Sequence, residues 1–169
     1  TSDTETILQL VAQSERKQIV DKLIDALFQI HGAYSLVILT NKKLIGVRDP
    51  YGIRPLVLGD LNGAPVLASE SCALDIIGAK FVREIENGEI IIISEKGMES
   101  IRPFPKVAER PCIFERIYFS RPDSMLGGNT VYTYRKNLGI ELAKEHYVDA
   151  DTVVPLSLIH ISEPTRRSM

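Results

Sequence analysis

The stretch RDPYGIRP, residues 48–55, is the strongest structural signal in this sequence. It places Asp49, Pro50 and Gly52 at the first, second and fourth positions of a turn, which are the residue preferences of a type I turn. Short aliphatic runs lie on either side, so the pattern taken alone predicts a hairpin of two buried strands joined by this turn. Two arginines flank the turn, Arg48 and Arg54.

Beyond this turn, the sequence changes between helical and strand-like periodicity. Ser2 and Glu5 fit a capping box that opens a first helix. Apolar residues recur at helical spacing in a second helix, 17–30, and further helices are predicted at 71–77 and 130–147. The predicted strands are 34–39, 44–47, 56–58, 65–68, 81–85, 89–94, a short strand ending near 101, 113–119 and one beginning at 151.

The composition narrows the class of protein. The chain has 169 residues, 44% hydrophobic and 25% charged, which is typical of a soluble globular protein. The net charge of −2 offers no basic surface for nucleic acid or for an anionic membrane, so we expect neither as a partner. The 2 cysteines cannot form a disulfide framework, which favours a reducing, cytoplasmic compartment.

Composition also predicts the domain organisation. Three prolines fall within residues 102–111, where they remove backbone donors and favour extended chain, as in a linker. This linker would separate a first domain, 1–101, from the beginning of a second, 112–155. The segment LSLIHISEPTR, 156–166, matches the translated end of a transposase-type sequencing adapter residue for residue, so we expect 156–169 to be a non-native tail.

Two successions of motifs carry a family resemblance. The first resembles the glutaminase domain of the class II glutamine amidotransferases and consists of TSDTE (1–5), HGAYSLVIL (31–39), GVRDPYGIRPLVLG (46–59), LASESCALD (67–75) and IENGEI (85–90). The second resembles the amidophosphoribosyltransferase family within that class and consists of PCIFERIYFSRPDS (111–124), VYTYRKNLGIELA (131–143) and DADTVVP (149–155).

The resemblance implies an α+β fold. The first part would be a partial αββα sandwich of the N-terminal-nucleophile (Ntn) hydrolase type, and the second would begin a type I phosphoribosyltransferase α/β domain. The implied reaction converts phosphoribosyl pyrophosphate, glutamine and water to 5-phosphoribosylamine, glutamate and pyrophosphate, the first committed step of de novo purine synthesis. The full-length enzyme would use Mg²⁺, could carry a [4Fe-4S] cluster and would form a homo-oligomer, a tetramer in the family.

Two other functions are compatible with parts of the sequence. Another class II glutamine amidotransferase would share the RDPxGIRPL motif, although its synthase domain is not expected to begin with IYFSRPDS. A non-catalytic, glutaminase-like binding module would lack an upstream nucleophile.

The catalytic nucleophile of the resembled family is a cysteine at the mature N-terminus, whose own α-amino group serves as the base. The sequence opens instead with Thr1, two residues before the aspartate of a helix-opening motif. We therefore expect an N-terminally truncated chain that has no catalytic residue of its own, binds no cofactor and is inactive alone.

Asp3 is the expected glutamine-binding residue, because in the resembled family the aspartate of SDTE pairs with the α-amino group of glutamine. A carboxylate against an ammonium is a strong pair when partly desolvated. The alternative is a first-turn aspartate that only complements the helix dipole. Six further residues match motif positions and are interpreted as supporting the site through turn formation and charge pairing: Arg48, Asp49, Gly52, Arg54, Glu70 and Ser71.

Residues after the linker are expected to lie where the two domains meet and to couple glutamine hydrolysis to nitrogen transfer: Tyr118, Arg121, Asp123 and Ser124. Cys112 is a possible [4Fe-4S] ligand by resemblance, although such a site needs four thiolates. Cys72 lies within a short apolar helix and is expected to be a buried thiol.

Overall fold

The computed structural model describes residues 3–152 and residue 154. The α-helices are α1 (Asp3–Gln13), α2 (Ile19–Leu27), α3 (Ser71–Ile76) and α4 (Val131–Glu145), and a π-helix spans Glu115–Phe119. The strands are β1 (Ser35–Leu39), β2 (Lys43–Arg48), β3 (Val57–Leu61), β4 (Ala64–Ala68), β5 (Lys80–Glu84), β6 (Ile90–Ser94), β7 (Gly97–Ile101), β8 (Met125–Leu126) and β9 (Asn129–Thr130).

The longer strands form two antiparallel sheets. One sheet has four strands in the order β1-β2-β6-β7, and the other has three in the order β4-β3-β5. The short strands β8 and β9 pair as a hairpin. Its loop residues, Gly127 and Gly128, have φ angles of 62° and 79°, which is the backbone that a two-residue type I′ hairpin turn requires.

Three apolar clusters show how these elements stack. The first joins α2 to the four-stranded sheet and contains Val20, Leu23, Leu27, Tyr34, Ile45, Val47, Ile90 and Ile92. The second lies between the two sheets and contains Leu56, Leu58, Ile85 and Ile91, with Leu67 packed against it. The third joins α3 to the other face of the three-stranded sheet and contains Val57, Leu74 and Ala79. The layers therefore run helix, sheet, sheet, helix, as the αββα prediction requires.

Successive residues of β2 face opposite sides of the four-stranded sheet, so this strand contributes to the core on both sides. Ile45 and Val47 are fully buried in the helix-facing cluster, while Gly46 between them faces the second sheet. A Cβ atom at Gly46 would lie 2.7 Å from Cδ1 of Leu67 and 2.9 Å from Cγ2 of Ile91. The two sheets approach closely at this point because the glycine has no side chain.

Most predicted elements are present with shifted ends. The second helix is shorter than the predicted 17–30, and Phe28 after it is half-exposed and packs against Phe104 with 5.2 Å between ring centroids. The proposed N-cap of α1, Ser2, lies outside the described residues. Helix α1 spans Asp3–Gln13, and the capping box stays a prediction.

The predicted strand at 113–119 is wrong, because this segment is helical and ends in the π-helix. Its apolar pattern resembled a strand, but the backbone N–H of Ser120 donates to the carbonyl of Glu115 at 3.0 Å, a bond over five residues. The guanidinium of Arg135 donates to the carbonyls of Arg116 and Ser120 at 2.8 and 2.9 Å. A distant arginine therefore satisfies carbonyls that the helix end leaves free.

Residues 102–112 form no regular secondary structure, as expected of the proline-rich segment. Backbone N–H groups of Arg110 and Cys112 nevertheless donate to the carbonyls of Tyr51 and Ile53, at 2.8 and 3.3 Å. The chain divides into two compact units, one that ends at Arg135 and another that begins at Lys136. The division into domains at 101 and 112 stays a prediction.

The second unit, within the described residues, contains the rest of α4 and an irregular segment. Asp151 lies in a bend, and Thr152 and Val154 have no regular secondary structure. The other two positions of the strand predicted there, 153 and 155, lie outside the described residues, as does the segment 156–169. In the part of the chain that is described, no helix has the length and apolar character needed to cross a membrane.

Candidate functional site

The turn at 48–55 is organised around the buried carboxylate of Asp49, which is 0% exposed. Its Oδ1 accepts hydrogen bonds from the backbone N–H of Tyr51 and Ile53 at 3.0 and 3.2 Å. Its Oδ2 accepts from Ile53 and Arg54 at 3.1 and 3.3 Å. The N–H of Gly52 donates to the Asp49 carbonyl at 3.0 Å, the bond that closes the predicted turn. The predicted hairpin is wrong, because β2 and β3 flank this turn but belong to different sheets. Asp49 is thus occupied by its own loop.

Arg48 is also directed at the protein rather than at solvent. Its Nη1 donates to the carbonyl of Ile85 at 2.7 Å, and its Nε donates to that of Arg54 at 3.0 Å. Its Nη2 donates to the Gly52 carbonyl at 3.3 Å, and Glu84 lies 3.7 Å away as an ion-pair partner. This side chain ties the turn to the end of β5.

Gly52 is favoured by its backbone conformation, and the Asn87 side chain approaches it closely. Its φ of 64° is in the left-handed region, where side chains cause strain. A Cβ atom there would lie 2.0 Å from Oδ1 of Asn87. The turn and the loop that carries Asn87 therefore touch through the glycine.

Asp3 lines an open cleft of about 870 Å³, named here the Asp3 cleft. The cleft is bordered by Asp3, Thr4, Thr6, Ile7, Ile30, His31, Gly32, Ala33, Tyr34, Ser35, Leu36, Arg54, Pro55, Ser69, Glu70, Glu115 and Phe119. Asp3 is exposed, and among the described residues it forms no ion pair. Asp3 therefore borders the cleft and also lies in the first turn of α1.

Tyr34 borders the Asp3 cleft and is buried in the cluster between α2 and the four-stranded sheet. Burial, together with the negative charge of Asp49, raises the pKa of the Tyr34 phenol to about 12. The Tyr34 carbonyl also accepts from the backbone N–H of Asp49 at 3.0 Å. The cleft wall and the RDPYGIRP turn are thus directly bonded.

Arg54 forms an ion pair with Glu115, and both residues border the Asp3 cleft. Its Nη1 lies 2.8 Å from Oε1 of Glu115, whose side chain is 5% exposed. Among the described residues Oε1 has no hydrogen-bond partner beside this ion pair. Oε2 accepts from the hydroxyl of Ser120 at 3.2 Å, and the guanidinium also lies 5.3 Å from the ring centroid of Phe119. Arg54 thus pairs with the π-helix.

Glu70 and Ser71 contact the SRPDS segment, residues 120–124. Oε2 of Glu70 accepts from the hydroxyl of Ser124 at 2.6 Å and from the backbone N–H of Arg121 at 2.9 Å. The hydroxyl of Ser71 accepts from the backbone N–H of Met125 at 2.8 Å. Sequence reasoning assigned these residues to two separate groups, and the structure brings them together.

The other two residues of the expected coupling group lie at the surface. Arg121 and Asp123 form an exposed ion pair with distances of 2.9 and 3.0 Å. The hydrogen bonds from Arg121 lower the pKa of Asp123. Tyr118 is 78% exposed and contacts Phe119 edge-on, with 5.8 Å between ring centroids.

Sequence reasoning missed Glu115 and Glu84 as residues that connect these segments. Glu115 is buried against Arg54, and Oε1 of Glu84 accepts from the backbone N–H of Gly127 at 2.8 Å. The signal for Glu115 was present, since it is an acidic residue inside the apolar segment 112–119. Its burial depends on Arg54, which lies far away in the sequence.

The two cysteines do not fit a [4Fe-4S] site by themselves. Both are free; Cys72 is buried, as predicted, and Cys112 is half-buried. Four thiolates are needed for such a cluster, and the whole sequence has 2 cysteines. Within residues 3–152, no group of three or more His, Cys, Asp or Glu side chains could hold a metal ion.

Several known proteins are similar to this chain in sequence. Residues 1–75 match the model of the glutamine amidotransferase domain. The chain is 55% identical over 161 residues to an amidophosphoribosyltransferase of Rhizobium etli, with 92% of this chain and 32% of the relative covered. The chain belongs to the amidophosphoribosyltransferase family. The Bacillus subtilis amidophosphoribosyltransferase is 43% identical over 152 residues, with 90% of this chain and 32% of the relative covered.

Solved structures confirm the fold. A structure described as the allosteric regulatory enzyme of purine biosynthesis matches with a TM-score of 0.86 at 43% identity, over 89% of this chain and 32% of that one. The glutamine phosphoribosylpyrophosphate amidotransferase of B. subtilis, complexed with ADP and GMP, matches with a TM-score of 0.87 at 43% identity, over 89% of this chain and 33% of that one. The α+β Ntn fold is therefore confirmed, and the chain spans about a third of its relatives' length.

Proposed function

We propose that this chain supplies the glutamine-binding region and the beginning of the transferase domain of an amidophosphoribosyltransferase. The whole protein would convert phosphoribosyl pyrophosphate, glutamine and water to 5-phosphoribosylamine, glutamate and pyrophosphate. The observation that carries the proposal is the 55% identity over 161 residues. That similarity extends past the amidotransferase domain at 1–75 and through the SRPDS segment. Another class II amidotransferase would be expected to diverge beyond the linker.

The chemistry of the Asp3 cleft supports glutamine as a ligand. The exposed Asp3 borders the cleft without an ion-pair partner among the described residues. Its carboxylate suits the α-ammonium of an amino acid, because a charge-assisted hydrogen bond is stronger than a neutral one. Arg48, Asp49 and Gly52 hold the turn at the wall of the cleft, and Glu70, Ser71 and Arg54 hold the segment after the linker. These residues support the site by fixing its walls.

The remaining properties follow from the family and are part of the same proposal. The whole protein would act with Mg²⁺ beside phosphoribosyl pyrophosphate, assemble as a homo-oligomer and work in the cytoplasm. This chain alone would be inactive. Cys112 would ligate a cluster only with thiolates from elsewhere in a whole protein, and we derive no chemical step from it.

A chimera tests the proposal. Residues 3–152 of this chain replace the matching segment of the Rhizobium etli relative, which supplies the rest of the enzyme. Pyrophosphate release is measured with glutamine, and separately with ammonium chloride as the nitrogen source. We expect both activities within about tenfold of the parent's, since a folded interface preserves transition-state contacts.

The matched control replaces the parent's N-terminal cysteine in the chimera with alanine. It should abolish the glutamine-dependent activity and spare the ammonia-dependent one. A folded chimera inactive with both nitrogen sources would contradict the proposal. Glutamine binding without any turnover would favour the binding module instead.

A further inference from the structure

We propose that Glu70 is a positioning residue that couples glutamine hydrolysis to nitrogen transfer by fixing the SRPDS segment to the wall of the Asp3 cleft. The inference rests on the proposed function and deepens it, because it assigns a physical link between the glutamine-binding region and the chain after the linker.

The link is a single carboxylate oxygen that holds both ends of one turn. Oε2 of Glu70 accepts from the N–H of Arg121 at 2.9 Å and from the hydroxyl of Ser124 at 2.6 Å. The N–H of Ser124 donates to the carbonyl of Arg121 at 3.1 Å, which closes the turn. Ser124 is 2% exposed, so water does not compete freely for this contact. Hydrogen bonds to an ionised acceptor are the stronger class.

Ser71, the residue after Glu70, makes a second contact between the start of α3 and the chain after the linker. Ser71 is buried, and its hydroxyl accepts from the N–H of Met125, the residue that follows the SRPDS segment. Glu70 and Ser71 lie at the start of α3, whose Leu74 is fully buried beneath the three-stranded sheet. The turn is therefore anchored to a rigid element of the core and not to a mobile loop.

Glu70 also faces the candidate substrate cleft. It borders the Asp3 cleft together with Ser69, and the same cleft is bordered by Glu115 and Phe119 of the π-helix. The π-helix leads directly into the SRPDS segment. A displacement of that segment would therefore move part of the cleft wall, and a change in the cleft would reach the SRPDS segment through Glu70.

A contact between the glutamine-binding region and the transferase part would couple glutamine hydrolysis to nitrogen transfer. Ammonia released by glutamine hydrolysis is lost to water unless hydrolysis occurs only when the transferase part is in place. Energetic coupling between two sites is carried by packed side chains and hydrogen bonds that respond to both. Glu70 meets this description because it contacts the segment after the linker and the cleft at once.

The test uses the Rhizobium etli chimera and measures glutamate formed per pyrophosphate released. The ratio should be near one in the unmodified chimera, since each ammonia is transferred. Glu70→Ala should raise this ratio roughly twofold or more, the smallest effect expected of a residue that carries coupling. Ammonia-dependent pyrophosphate release should be unchanged. Glu70→Gln, which keeps one acceptor oxygen, should restore part of the coupling.

Two further variants make the result decisive. Ser124→Ala removes one of the two hydrogen bonds that join the SRPDS segment to Glu70. It should raise the ratio in the same direction, even if Glu70→Ala fails to fold. Glu99→Gln, an exposed acidic residue of β7, should leave the ratio unchanged. Hydrogen exchange should show faster exchange at the Arg121 amide in Glu70→Ala.

The inference would be overturned if a folded Glu70→Ala variant kept a ratio of one, or if it lost both activities in parallel with the ratio unchanged. It would also be overturned if Ser124→Ala had a normal ratio while the Arg121 amide exchanged freely. Failure of the proposed function is distinguishable, because the unmodified chimera would then make no product from either nitrogen source.

Discussion

Both carboxylate oxygens of Asp49 accept a hydrogen bond from the backbone N–H of Ile53, at 3.2 and 3.1 Å. The N–H groups of Tyr51 and Arg54 donate to the same carboxylate. One buried side chain therefore sets the course of the turn between β2 and β3. The same turn carries Arg54, which forms an ion pair with Glu115 at the wall of the Asp3 cleft.

The first prediction concerns this carboxylate. Asp49→Ala leaves three backbone donors without their acceptor, so we expect the free energy of unfolding to fall by roughly 2–4 kcal/mol. Asp49→Asn keeps one acceptor oxygen and should cost less. Urea denaturation of the Rhizobium etli chimera measures the loss. The matched control is Asp60→Asn, because Asp60 caps the exposed turn at Gly63 with one bond of 3.0 Å. Equal losses at the two positions would contradict this account of the turn.

The second prediction separates steric clash from backbone strain. Gly52→Ala would place a Cβ atom 2.0 Å from Oδ1 of Asn87, at a φ of 64°. Gly63→Ala imposes a similar backbone penalty at a φ of 89°, but meets nothing within 4 Å. We expect Gly63→Ala to cost about 1 kcal/mol and Gly52→Ala clearly more.

The double variant Gly52→Ala/Asn87→Ala is the internal check on that comparison. Removing the Asn87 amide relieves the clash and leaves the strain, so the urea midpoint should recover toward that of Gly63→Ala. No recovery would show that the close approach to Asn87 is not what requires the glycine.

The third prediction is a pH dependence that comes from Glu89. This carboxylate is 0% exposed. Burial alone would raise the pKa of Glu89. The carboxylate also accepts hydrogen bonds from Arg83, Ser100 and the backbone N–H of Glu86, and it lies beside the Arg83 charge. These interactions outweigh burial and lower the pKa from 4.5 to about 2. Because the pKa of Glu89 is lower in the folded state than in the unfolded state, its ionised carboxylate stabilises the fold above pH 4.5. This contribution is lost as the pH falls toward 2 and the carboxylate becomes protonated.

The full contribution of Glu89 is roughly 3 kcal/mol. The stability difference between the unmodified chimera and Glu89→Gln should therefore be greatest at neutral pH and shrink as the pH falls below the unfolded value. Urea midpoints at about pH 7 and about pH 3.5 measure this change. Glu99→Gln is the control and should show no such trend. A difference that stays constant with pH would contradict the assignment.

The local features of the fold were predictable from sequence and the distant contacts were not. The turn at Asp49, the glycine loop at 127–128 and the buried Cys72 follow from residues within a few positions of one another. The π-helix was mistaken for a strand, because its form depends on Arg135 and Arg54, which lie elsewhere in the chain.

The candidate site shows the same division. The motif residues were identified individually by resemblance, and their grouping came only from the structure. Glu70 and Ser124 are 54 positions apart, and no periodicity or local spacing connects them. The role of Asp3 is a prediction that rests on chemistry and on the cleft it borders.

The measurement that bears most directly on the central claim is the KM for glutamine in the chimera carrying Asp3→Asn. If Asp3 pairs with the α-ammonium of glutamine, losing its charge should raise this KM by about tenfold or more, while ammonia-dependent activity stays unchanged. Asp21→Asn, in the first turn of α2, is the matched control and should alter neither. A folded Asp3→Asn with an unchanged KM would mean that Asp3 only complements the dipole of α1, and would contradict the account of the glutamine site.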